Sequence, residues 1–156
     1  MQSLFGTDLF LDPLFNGRRP RVVGSLDQPH SYTYVEDYAR ALVIAALDAR
    51  AHGRTWIVPN DRTLTARQAA AVSFESAGVQ ARLGRISRPM VAAAGLFNPL
   101  VREVTEMLYQ KEEPYVVDGS RFASEFGFQP TPFEEGVRRT IAWYEATHRE
   151  SVRAAA

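Results

Sequence analysis

Cysteine is absent from this 156-residue chain, which excludes disulfides, thiolate metal sites and a cysteine nucleophile while leaving the compartment open. Lysine is nearly absent too. Lys111 stands against seventeen arginines, a compositional bias rather than a site. Neither sign of charge is in excess, because eighteen basic residues balance eighteen acidic ones. A neutral chain offers no electrostatic ground for a nucleic-acid or membrane-surface partner. No apolar run approaches the ~18 residues a membrane span needs, and no secretory apolar stretch follows Met1. A cytoplasmic location is the resulting expectation.

Glycine is present but wrongly spaced for one common task. The ten glycines stand at 6, 17, 24, 53, 78, 84, 95, 119, 127 and 136. No three form G-x-G-x-x-G or G-x-x-G-x-x-G, the spacings that let a strand turn tightly into a helix and approach a pyrophosphate. Cofactor-binding residues are therefore none. His52 and His148 are isolated from any metal-like spacing, so no metal site is expected. Ser31, Ser73 and Ser120 lie outside any G-x-S-x-G elbow, and no nucleophile is assigned.

What is there reads as short strands interleaved with helices. The length suits a single domain, and the pattern implies an α/β or α+β lobe. A short helix is expected over 7–16, with Leu9, Phe10, Leu14 and Phe15 apolar, and strands over 20–24 and 32–35. From Glu36 the apolar period changes, and Ala39, Leu42, Val43, Ala46 and Leu47 fall on one helical face. Residues 55–58 (TWIV) suggest a buried strand, and Thr65 with Gln68 a capping box that opens a helix ending at Gly78. A strand over 79–86, helices over 88–97 and 99–110, and an extended Val116–Val117 follow. Asp118 caps a further helix that ends at Gly127. A second capping box, Thr131 to Glu134, opens a last helix carrying Phe133, Val137, Ile141 and Tyr144 to about His148. The organisation expected is one lobe over 1–150 and a frayed tail over 151–156.

Four pieces resemble, in order, the extended short-chain dehydrogenase/reductases, the NAD(P)-dependent epimerase/dehydratase family. They are GRRPRVVGSLDQPHSYTYVEDYARAL, the TWIV-P-N-D segment with its LTARQ helix, the start Asp118-Gly119-Ser120-Arg121, and FGFQPTPFEEGVRRTIAWYE. The stretch from His30 to Ala41 is similar to the family's R-D-F-x-Y-V-x-D element, which opens its substrate-binding half. The resemblance implies the C-terminal, substrate-binding part of a Rossmann-type enzyme, with few short strands and several helices. It implies NAD or NADP for the complete enzyme, but no cofactor for this chain alone. The family's catalytic Tyr-x-x-x-Lys has no counterpart, because Met107 stands four residues before the only lysine. Catalytic residues are therefore none. Partners implied are a small-molecule substrate such as a sugar, and a Rossmann-domain partner or a missing N-terminal part.

Substrate-binding candidates follow from the resemblance. They are His30 and Tyr32 in the R-D-F-like element, and Tyr109 and Gln110 near the position of a second phosphate-binding arginine. His30 replaces a permanently charged bidentate donor with an imidazole, and Tyr109, Gln110 and Lys111 match the second position poorly. The expectation is a substrate smaller or less anionic than a nucleotide diphosphate. Residue by residue, His30 is either a ligand donor or a surface histidine packed after Pro29. Tyr32 and Tyr34 either stack on a ligand or pack in the core. Glu36 and Asp37 read as first-turn acids that suit the helix dipole.

Overall fold

The computed structural model describes residues 10–154. The expected start of the first helix, including Leu9, lies outside them, as do residues 155 and 156 of the expected tail. Helix α1 is Asp12–Phe15, followed by β1 Arg21–Val23 and β2 Pro29–Ser31. Then come α2 Val35–Leu47, a 3-10 turn Ala49–Ala51, β3 Thr63–Thr65 and α3 Ala66–Ser76. The second half holds β4 Gly84–Ile86, α4 Arg88–Gly95, α5 Pro99–Glu106, α6 Tyr109–Glu112, α7 Ser120–Phe126 and α8 Phe133–Ala154. Few short strands among several helices is the α/β arrangement expected.

The strands form two small pieces of sheet. β1 pairs parallel with β4, with Val22 opposite Arg85. β2 pairs antiparallel with β3, with His30 opposite Leu64. On its other side β2 meets Tyr115 in a parallel bridge, where Ser31 N–H donates to Tyr115 O at 2.8 Å and Tyr115 N–H donates to Pro29 O at 2.9 Å. The extended character expected at Val116–Val117 is continued by Val117 N–H, which donates to Ser31 Oγ at 3.1 Å.

Two apolar clusters hold these pieces. The larger joins Phe10, Leu14 and Leu64 to the helices α3 and α8, where Phe133, Val137, Ile141 and Tyr144 are buried. α3 offers α8 a face of Ala66, Ala69 and Ala70, small enough for close approach. Its capping box forms as the Thr65-x-x-Gln68 pattern predicts, with both reciprocal bonds present. The Trp143–Tyr144 pair splits because helix neighbours diverge by ~100°. Tyr144 is buried and Trp143 exposed. The smaller cluster gathers Ala41, Phe122 and Phe128, with Ile44, Trp56 and Val58 against it.

Several expectations are corrected. The strand expected over 32–35 ends at Ser31, and Tyr34 instead precedes α2 in extended backbone. Residues 55–58 alternate outward and inward as a strand does, yet belong to no strand and make no backbone hydrogen bond among the described residues. β-Propensity cannot produce a ladder where no second strand lies alongside. The helix expected over 99–110 breaks into α5 and α6. The second capping box does not form: Thr131 turns to Asp37, and a distant carboxylate, Asp61, accepts from Phe133 N–H at 3.0 Å. α8 itself continues past His148 to Ala154.

The largest reversal concerns α2. Its apolar residues Leu42, Val43 and Leu47 point to solvent, whereas Asp37 and Ala41 are buried. The face the chain packs inward is the opposite of the face its hydrophobic pattern marks.

Candidate functional site

The candidate site forms where β2 ends and α6 begins. β2 is held on both sides by backbone bonds, to β3 and to Tyr115, so His30 and Ser31 have fixed places. α6 and the chain after it return to this point because Ser25 N–H donates to Lys111 O at 3.0 Å. A cavity of about 510 Å³ opens between them. His30, Tyr32, Tyr109 and Gln110, assigned from two segments far apart in sequence, all line it. Lys111 and Tyr115 line it as well. Tyr115 was not among the sequence candidates. The signal that could have found it is its place between Gln110 and the extended Val116–Val117.

The cavity wall is largely aromatic and carries one charge of each sign, Lys111 and Glu113. The His30 ring lies 6.2 Å from that of Tyr32 and 6.3 Å from that of Tyr115, measured between centroids. His30 is 7% exposed. Burial, and then the positive charge of Lys111, hold its pKa below the ordinary histidine value of 6.5. The imidazole is therefore neutral at pH 7, with one nitrogen to donate and one to accept. Burial pushes the Tyr32 phenol up to about 12 and lowers the Lys111 ammonium. Among the described residues no arginine lines the cavity. The nearby Arg85 donates to Gly24 O at 2.8 Å, and Arg88 lies 3.6 Å from Glu112.

Gly24 shapes this wall from behind. Its φ is +93°, and a Cβ there would stand 2.5 Å from Lys111 Cβ and 2.9 Å from Lys111 O. Gly24→Ala is expected to cost about 1–3 kcal/mol and to push the Lys111 segment out of place. Gly17→Ala, also at positive φ but with open space around it, isolates the backbone penalty alone. Paired thermal melts and the His30 ring resonances check this: only Gly24→Ala should move the histidine signals.

Tyr34, Glu36 and Asp37 do not join the cavity. Tyr34 is buried, with its ring against Gly136 of α8. Asp37 is 1% exposed and accepts from the amide and hydroxyl of Thr131, both at 2.7 Å. Among the described residues no cluster of histidine and carboxylate could hold a metal ion.

No family model and no curated protein matches the sequence. Solved structures do match. A UDP-glucuronic acid 4-epimerase from Bacillus cereus, in complex with UDP-glucuronic acid and NAD, aligns at TM-score 0.64 and 14% identity over 89% of this chain. A dTDP-glucose 4,6-dehydratase from Streptomyces venezuelae, with NAD bound, aligns at 0.61 and 19% over 88%. A GDP-L-fucose synthetase from Naegleria fowleri, bound to NADP, aligns at 0.61 and 16% over 89%. The fold is shared with a part of each of these enzymes. The chain spans 37–39% of the length of these three structures. At such identities the likeness is one of fold alone.

The dinucleotide implied by that fold family does not fit these residues. β2, β3 and β4 each run into a helix, and no glycine stands at any of the three junctions. The backbone approach that a pyrophosphate requires at a helix N-terminus is thus not built among the described residues. No helix among them is long and apolar enough to cross a membrane.

Proposed function

We propose that this chain is the substrate-binding portion of an NAD(P)-dependent epimerase/dehydratase-like oxidoreductase and is not catalytic by itself. The cavity beside β2 would hold a sugar or a related hydroxyl or carbonyl compound. The observation that carries this reading is convergence: His30 and Tyr32 meet Tyr109 and Gln110 around one cavity, on a fold shared with sugar-nucleotide enzymes. Aromatic faces suit the C–H surfaces of a pyranose. A neutral His30 and the Gln110 amide can each donate to and accept from its hydroxyls. In the complete enzyme NAD or NADP would exchange the hydride. This chain's residues would bind and orient the substrate and exclude water from it. A cytoplasmic setting belongs to the same reading.

Calorimetry with the purified chain tests the reading. Glucuronic acid and UDP-glucuronic acid are expected to bind within about tenfold of each other, since no arginine is placed for the diphosphate. NADH is expected not to bind. Binding of UDP-glucuronic acid alone, or tight binding or turnover of NADH, would contradict the reading. His30→Ala and Tyr109→Ala should each weaken sugar binding by about fivefold to thirtyfold, the worth of one buried hydrogen bond or stacked ring.

A second reading is a binding or assembly module that pairs with a separately supplied Rossmann unit. The segment 55–58 favours it, because an extended stretch with unpaired backbone is a place for another sheet to add. An upstream reading frame with the glycine fingerprint and Tyr-x-x-x-Lys, separate from this one, would support the module. Such a frame continuous with this one would support the first reading.

A further inference from the structure

The two charges on the cavity wall are not placed alike. Lys111 is half-buried, whereas Glu113 is exposed. Among the described residues Lys111 is the only lining side chain, besides His30, that can carry positive charge. Its root is fixed. Lys111 N–H donates to Leu108 O at 2.8 Å, and Lys111 O accepts from Ser25 N–H at 3.0 Å. Its Cβ sits against Gly24, where an added Cβ would be 2.5 Å away. The ammonium stands near enough to the buried His30 ring to act on it, as the lowered His30 pKa records. A half-buried charge acts through less water than an exposed one. Lys111 therefore sets the field inside the cavity more than Glu113 does.

This placement selects among anions. A phosphate dianion is best held by the planar fork of arginine. Arg85 and Arg88 are engaged elsewhere, the first with Gly24 O and the second with Glu112. A dianion also meets twice the repulsion from Glu113 that a monoanion meets. One ammonium suits one negative charge, provided a further donor reaches the second oxygen. The His30 imidazole offers such an N–H on the same wall. Burial disfavours the Lys111 ammonium, and a bound carboxylate offsets that penalty.

We propose that the compound held in this cavity carries one carboxylate, bound by Lys111 with His30 as its second donor. The substrate class is then a sugar acid of the hexuronate kind. Tyr32, Tyr109 and Tyr115 remain for the apolar faces of its ring. This inference rests on the reading of the cavity as a sugar site and narrows it to one chemical class.

Titrations of the full chain near neutral pH, followed by the His30 ring resonances, test it with glucose, glucuronic acid and glucose 1-phosphate. Glucuronic acid should bind about ten- to a hundredfold more tightly than glucose, the worth of one charge-assisted contact. It should also bind more tightly than glucose 1-phosphate, which is mostly dianionic at that pH. Lys111→Met should bring the ratio of glucuronic acid to glucose affinity down to about one. The wild-type chain gives a second readout that needs no variant. His30 should titrate at higher pH in the glucuronate complex than in the glucose complex, because the carboxylate cancels the Lys111 charge. Equal binding of glucose and glucuronic acid would overturn this inference and leave the sugar-site reading standing. Tighter binding of glucose 1-phosphate, or a preference for glucuronic acid that survives Lys111→Met, would overturn it as well. Binding of none of the three would overturn both.

Discussion

Truncating Phe122 to alanine is expected to lower the unfolding free energy by about 3–5 kcal/mol, a large share of what a domain of this size possesses. Phe122 is 1% exposed and is the centre of the smaller core. Its ring centroid lies 4.7 Å from Phe126, 5.4 Å from Phe128 and 5.9 Å from Trp56. The loss would not be relieved by collapse, because Gly119 just before α7 is in backbone contact with Pro59. A Cβ at Gly119 would stand 2.3 Å from Pro59 Cα, so α7 cannot slide toward the gap. Phe122→Leu keeps most of the volume and should cost less than about 1.5 kcal/mol. Urea melts followed by Trp56 fluorescence measure both variants. A loss under about 1 kcal/mol for Phe122→Ala would mean the cluster is not packed as described.

The second large effect concerns a buried charge. Asp37→Ala is expected to cost about 2–4 kcal/mol, because it strands the Thr131 amide and hydroxyl that the carboxylate holds. Arg40, 2.5 Å from the same carboxylate, is more than half exposed and regains water, so its share is small. The tie matters because it joins the start of α2 to the turn that launches α8. Asp37→Asn preserves the shape and one acceptor and should cost roughly half as much.

The pH dependence has a definite sign. Burial alone would raise the Asp37 carboxyl, but the Thr131 hydroxyl and amide and the Arg40 guanidinium outweigh it. The net pKa falls below the usual 3.8. The folded chain then binds this proton less readily than the unfolded chain does. The stabilisation is complete above that usual value and fades as pH falls through the lower, folded one. The stability gap between wild type and Asp37→Asn should therefore be constant near neutrality and shrink below about pH 4. A gap that widened in acid would mean burial dominates. The difference between the two proteins removes the other low-lying acids Asp27, Asp48 and Asp118, whose pKa values are lowered as well.

Local chemistry was legible in the chain before any fold. The Thr65–Gln68 capping box, the stop at Gly127 and the proline start of α5 all depend on neighbours within one turn, and all appear. A resemblance brought His30, Tyr32, Tyr109 and Gln110 together as candidates, and all four line one cavity, whereas Tyr115 carried no such signal. Their meeting in space required the Ser31–Tyr115 and Ser25–Lys111 backbone bonds, which no local pattern encodes.

The sequence by itself determined the absences: no cysteine chemistry, no glycine fingerprint, no Tyr-x-x-x-Lys. These need no coordinates, because a residue type that is missing cannot be folded into place. It also determined that α2 is a helix with one apolar face. Tertiary structure alone decided which way that face looks. Asp37 found partners in Thr131, and this long-range tie turned the polar edge inward and left Leu42 and Leu47 in solvent. Likewise the 55–58 segment has the residues of a strand, but a strand is a relation between two segments and no second member lies alongside among the described residues. Periodicity reports what each residue prefers to touch. Only packing decides what is there to be touched.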